Sequence, residues 1–185
     1  MTRTGRTSPN IHESSLPEAH QPGQASVCDS TSLLAEAEQH YSTKNLTNAI
    51  AIAKYSLCVK SSANAHFIIG NAYKELGQIH LALNHFSSAL EIDTTHTLTL
   101  HRRSVTLMEV GNYVGALADS SELIRLNAFV SQAHFFVALI LLNCDAGLWP
   151  ALLNSAALQQ FVHPLDWLNR SIELDPTCVP ALLQR

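Results

Sequence analysis

The chain has 185 residues, 46% of them hydrophobic and 14% charged, with a formal net charge of -4. That apolar share is enough for a packed core, whereas the acidic balance argues against a nucleic-acid binder, which needs a clustered basic excess. The longest apolar run, 135–142, falls far short of the roughly 18 residues that span a membrane, and the seven glycines and seven prolines exclude a collagen-like or low-complexity chain.

In chain order, residues 1–29 come first, rich in Ser, Thr, Pro, Gln and Gly, with no aromatic side chain. They carry too little apolar surface to offset the entropy of ordering, and are expected to be a disordered tail. From Ser32 onward, apolar residues recur at three- and four-residue spacing and are broken every dozen or so residues by a short polar turn. Sustained alternation of period two is absent, so an all-α fold is expected.

Laying 63–96 above 97–130 superimposes two 34-residue windows without a gap. Gly77 falls over Gly111, Ala82 over Ala116, Leu83 over Leu117, Ile92 over Leu126, and Gly70 over Ser104. Extending from Ser131 places Ala138 in the same small slot, and Ala37 and Ala49 mark an earlier unit that begins near Ser30. Small residues at these places fit helices whose backbones approach closely. Ile69, Tyr73, Phe86, Leu107 and Leu123 are expected to fill the space between, while Gly77 and Gly111 end their helices in left-handed caps. Fixed-period self-similarity of this kind marks a solenoid.

The unit Ile69-Gly70-x-x-Tyr73, Ala82-x-x-x-Phe86, Ala89 resembles the tetratricopeptide repeat (TPR) family, departing from it at His66 and Thr94, where tryptophan and proline are usual. The resemblance covers about 30–185 and implies a right-handed α-solenoid of helix-turn-helix repeats. About four units are expected, near 30–62, 63–96, 97–130 and 131–178. The last holds an insertion of about 14 residues around 145–161, because Ile172-Glu173-Leu174-Asp175-Pro176 arrives late, and an extra helical turn or two is expected there. Residues 179–185 read as the opening of a further first helix. Either a short terminal helix caps the array or the chain is a shortened form of a longer one.

Residues able to carry chemistry are few. Cys28, Cys58, Cys144 and Cys178 form no CxxC pair, and the first twenty residues lack the apolar stretch of a secretory signal. Reduced thiols in the cytoplasm or nucleus are therefore expected, with Cys58 inside a helix as a core residue. The ten histidines include pairs five apart (His80 and His85, His96 and His101), whereas ligands on one helix face need a spacing of three or four. No metal site, cofactor site or catalytic constellation is expected. Arg102 and Arg103 are adjacent and point about 100° apart, so at most one of them faces a given groove.

The resemblance also places a partner-binding groove on the concave face lined by the first helix of each unit. Carried over to this chain, the lining is Asn64, Phe67, Asn71 and Lys74, then Leu98, His101, Val105 and Met108, then Gln132, Phe135, Leu139 and Leu142. Asn71 matches an asparagine of the chaperone-tail clamp found in one branch of the family, but Phe67, Gln132 and Phe136 stand where that clamp needs basic side chains. The groove is apolar in its C-terminal half and suits an apolar or amphipathic segment of another protein. A non-catalytic adaptor or scaffold for protein–protein interaction is the expected function. The alternative is a structural or oligomerisation module whose apolar stripe is covered by the inserted segment or by a second copy.

Overall fold

The computed structural model describes residues 29–143, single positions 147, 149 and 153, and residues 158–159 and 163–177. Within these lie eight α-helices and no strand: α1 (Ser30–Ser42), α2 (Leu46–Val59), α3 (Ala63–Glu75), α4 (Ile79–Ile92), α5 (Thr97–Glu109), α6 (Tyr113–Arg125), α7 (Val130–Asn143) and α8 (Pro164–Leu174). The expectations for the N-terminal tail, for most of the insertion, for 179–185 and for Cys28, Cys144 and Cys178 fall outside the described residues.

Each helix end follows from its residues. Asn45 and Asn112 cap α2 and α6 through side-chain oxygens that accept from Asn48 N–H and Gly115 N–H. Lys44, Gly77 and Gly111 close the three tight turns with φ of 62°, 73° and 76°. Behind them the amides of Gln78 and Asn112 donate to Tyr73 and Leu107 carbonyls at 2.9 Å, the paired bonds of a left-handed helix cap.

Packing is by consecutive pairs: α1 with α2, α3 with α4, α5 with α6, and α7 with α8, each pair then leaning on the next. The odd-numbered helices also touch their successors (α1 with α3, α3 with α5, α5 with α7), whereas the even-numbered helices pack chiefly on the odd ones beside them. The closer spacing of the odd row makes it the inner, concave side of an α-solenoid.

The small slot inside each pair is filled as its size requires. A β-carbon at Gly70 would lie 2.6 Å from Cδ1 and Cε1 of the Phe86 ring. In the next pair Ser104 occupies the slot and hydrogen-bonds both Ser120 Oγ (3.0 Å) and the Ala116 carbonyl (3.3 Å). Ala138 sits there in the last pair, fully buried. Ile69, Phe86 and Leu123 are buried as expected, but Cys58 is exposed near the end of α2, a correction to its expected core position. Its helix turns Ala49, Ile50, Ala53 and Ser56 inward, and Cys58 lies off that face.

A serine contact recurs at both ends of the array and measures the insertion. Ser56 Oγ donates to the Ser30 carbonyl across 26 residues, and Ser171 Oγ donates to the Ser131 carbonyl across 40. The separations differ by 14 residues, and the serine contact is made in both pairs. From the chain between α7 and α8, Trp149 donates to the Leu141 carbonyl at 3.0 Å, and Leu153 and Leu158 are buried in the cluster around Trp167 and Ile140.

The two glycine types make separable predictions. Gly70→Val overpacks Phe86 and is expected to lower stability by about 2 kcal/mol. Gly77→Val meets no neighbouring atom within 4 Å and is expected to cost about 1 kcal/mol from backbone conformation alone. Urea unfolding followed by helical circular dichroism checks both.

Candidate functional site

The inner face is the candidate site, and the structure treats its twelve expected residues unequally. Leu98 (48% exposed) and Leu142 (57% exposed) are open to solvent, and Val105, Met108 and Leu139 are half-buried beside them. Phe135 does not line a groove: it is 2% exposed, packed with Phe136 among Val105, Met108, Leu139 and Leu168. Asn71 is also buried, at 6% exposed, leaving Asn64 exposed and Phe67, Lys74, His101 and Gln132 partly accessible. The apolar stripe on α5 and α7 is thus held from beneath by two phenyl rings.

Toward α1 and α3 the face is polar and laced by charge. Tyr41 OH donates to Glu75 Oε1 at 2.5 Å, and Lys44 Nζ donates to Glu75 Oε2 at 2.7 Å. One unit on, Lys74 Nζ donates to Glu109 Oε1 at 3.0 Å. These are two successive rungs of one ladder, joining the end of α1 to that of α3 and the end of α3 to that of α5. Burial, with the Glu75 carboxylate beside it, pushes the Tyr41 phenol up to about 12. The ladder was missed in the sequence, although Glu75 and Glu109 recur at one repeat length and were its visible signal.

The adjacent arginines divide as their angle requires. Arg103 turns into the solenoid, its Nε and Nη2 donating to the buried Asp119 carboxylate at 2.9 and 2.7 Å and its Nη1 to Ser87 Oγ at 3.2 Å. Burial pushes the Asp119 carboxyl up, and the guanidinium opposes it. Arg102 is exposed and makes no ion pair among the described residues.

Histidines enter as packing groups. His66 and His85, nineteen residues apart, bring their Nδ1 atoms within 3.0 Å, so one ring donates and the other accepts. Tyr73 stacks on His85 at 5.5 Å, and Lys54 Nζ donates to the Tyr73 hydroxyl. Burial, then the charges of His66 and Lys54, pushes His85 down to about 4. Burial lowers His66 too, against the pull of Glu91. On the inner face His101 is likewise held near 4, by burial and then by Arg102 and Lys74. No group of three or more His, Cys, Asp or Glu side chains among the described residues is arranged to hold a metal ion.

Two predictions follow from these pairs. Arg103→Leu strands the Asp119 carboxylate and is expected to destabilise by about 3 kcal/mol, with Arg103→Leu/Asp119→Leu recovering most of the loss in urea unfolding. His85 and His101 stay neutral in the folded chain while their unfolded counterparts take up protons near 6.5. Stability is therefore full above about pH 6.5 and is lost as pH falls toward about 4. The fall in urea midpoint from neutral to acidic pH is expected to shrink in His85→Gln, with the His85 ring titrating near 4 by NMR.

No family model and no curated protein matches this sequence. Solved structures do. A crystal structure of MamA matches with a TM-score of 0.67 at 15% identity, over 84% of this chain and 84% of that one. A second MamA crystal structure matches at 0.64 and 15%, over 84% and 78%. A tetratricopeptide repeat protein from Parabacteroides merdae ATCC 43184 matches at 0.59 and 15%, over 86% of this chain and 64% of that one. The chain has the tetratricopeptide-repeat fold. Among the described residues no helix is long and apolar enough to cross a membrane.

Proposed function

We propose that this tetratricopeptide-repeat solenoid is a non-catalytic interaction module that holds an apolar or amphipathic segment of a partner protein along its inner face. The observation that carries the reading is the stripe Leu98, Val105 and Met108 on α5 continued by Leu139 and Leu142 on α7. Its outer members are exposed, and its middle is backed by buried phenyl rings. Burying such a stripe against a partner releases ordered water, and the flexible thioether of Met108 lets the surface adapt. The polar ladder at α1 and α3 supplies a hydrogen-bonding rim at the other end of the face. The free, exposed thiol of Cys58 fits a reducing compartment, the cytoplasm or the nucleus.

A second reading has its own observation. Leu165 and Ile172, seven residues apart on one face of α8, are 53% and 41% exposed on the last described helix. That face is suited to pairing with a second copy, and in this reading the module is structural.

One experiment addresses both. Val105→Arg/Leu139→Arg is compared with the natural chain and with Val114→Arg, which changes an exposed residue on α6, in affinity capture from lysate. Sedimentation velocity at micromolar concentration is run on the same samples. The expected result is a folded monomer whose partner is lost only with the double substitution. Retention of every partner by the folded double variant overturns the groove reading, and a dimer unaffected by it favours the second.

A further inference from the structure

Among the described residues five have a left-handed backbone, and four of them are suited to it: Gly77, Gly111, Asn127, and Lys44 in an exposed turn. Phe129 is the exception. Its φ is 49°, in a region that bulky side chains avoid, and it immediately precedes α7, its carbonyl accepting from Ala133 N–H at 2.8 Å. The ring so placed stacks on the imidazole of His101 at 4.8 Å between centroids and 29° between planes. Phe136 approaches the same imidazole at 5.7 Å.

One repeat earlier the same juxtaposition exists with the residue types exchanged. His96, from the loop before α5, meets Phe67 on α3 at 5.5 Å, and its Nε2 lies 2.7 Å from Asn64 Oδ1. There the loop residue has an ordinary φ of -67°. A ring from the loop therefore reaches the inner helix without a left-handed backbone, so stacking alone does not account for the conformation of Phe129, which also packs at the edge of the buried cluster Leu90, Leu100, Leu123 and Ala133. Strain held against a functional surface is a common mark of a group poised to move.

The place it occupies is built for an aromatic ring. His101 shares one face of α5 with Leu98, three residues before it, and Val105, four after it, the first exposed and the second half-buried. We propose that Phe129 is the resident occupant of an aromatic subsite formed by His101 and Phe136, and that an aromatic side chain of a partner segment binds there by displacing it. This deepens the reading of the inner face as a binding surface and rests on it. The partner segment would carry a Phe, Tyr or Trp side chain flanked by aliphatic residues that meet Leu98 and Val105. Release of the left-handed backbone at Phe129 offsets part of the cost of ejecting its ring.

The test uses the full chain and N-acetyl-phenylalanine amide as probe, followed through the His101 ring signals by NMR. Phe129→Gly accepts the same φ without strain and vacates the subsite. It is expected to bind the probe about tenfold more tightly than the natural chain, more tightly than it binds N-acetyl-leucine amide, and to lose this on adding His101→Ala. Phe129→Asn, which also tolerates positive φ, serves as the second variant with the same expectation. A folded variant that binds the probe no better than the natural chain overturns the proposal. So does failure of both variants to fold, because the ring is then indispensable and cannot leave. Since the probe is a small molecule, this result is independent of whether the lysate experiment yields a partner, and the two readings fail separately.

Discussion

The constraint on which this structure depends is the closeness of two helix backbones inside each pair. Phe86 lies so near α3 that one added carbon at Gly70 overlaps its ring. An odd helix must therefore present a minimal side chain where it crosses its even partner. Once that crossing is fixed, the turn length, the tilt of the next helix and the curvature of the row follow. The glycines that close the turns act differently, since they meet no neighbour and are needed only for the sign of φ.

Within that frame this chain uses polar groups where an aliphatic core would serve. Arg103 stands at the position that Ile69 and Val137 hold in neighbouring units, and its fork is satisfied by Asp119 and Ser87. Ser104 with Ser120, and Ser131 with Ser171, close two crossings by hydrogen bonds. No buried side-chain nitrogen or oxygen among the described residues lacks a partner. Such contacts contribute little net stability but penalise any shift in register, because a displaced donor is left unpaired in a dry interior.

The sequence made the repeat readable because the small slots and turn glycines are dictated by local sterics, which recur at a fixed spacing whatever surrounds them. The expectation of an insertion rests on the same kind of spacing, the late arrival of one motif. What the sequence did not disclose depends on rotation about the helix axis or on side chains from different helices. Cys58 has apolar neighbours in sequence yet lies on the outward side of α2, and Phe135 occupies an inner-face position yet is sunk beneath Val105 and Leu139. The His66–His85 contact joins two helices at a spacing that no single-helix rule examines. For the two arginines, sequence geometry established that they would part but not which would turn inward.

The insertion between α7 and α8 has a consequence for how the array is assembled. The other pairs close through turns of a few residues, whereas α7 and α8 are joined across 144–163, so bringing them together costs roughly 1.5 kcal/mol more in chain entropy. That cost falls on one junction of an otherwise local topology and lengthens the average loop that must close. The same segment supplies Trp149, Leu153 and Leu158 to the cluster around Trp167. The apolar area that these three side chains bury offsets part of that entropy. At this end of the solenoid the cooperative element is two helices together with Trp149, Leu153 and Leu158 from the chain between them.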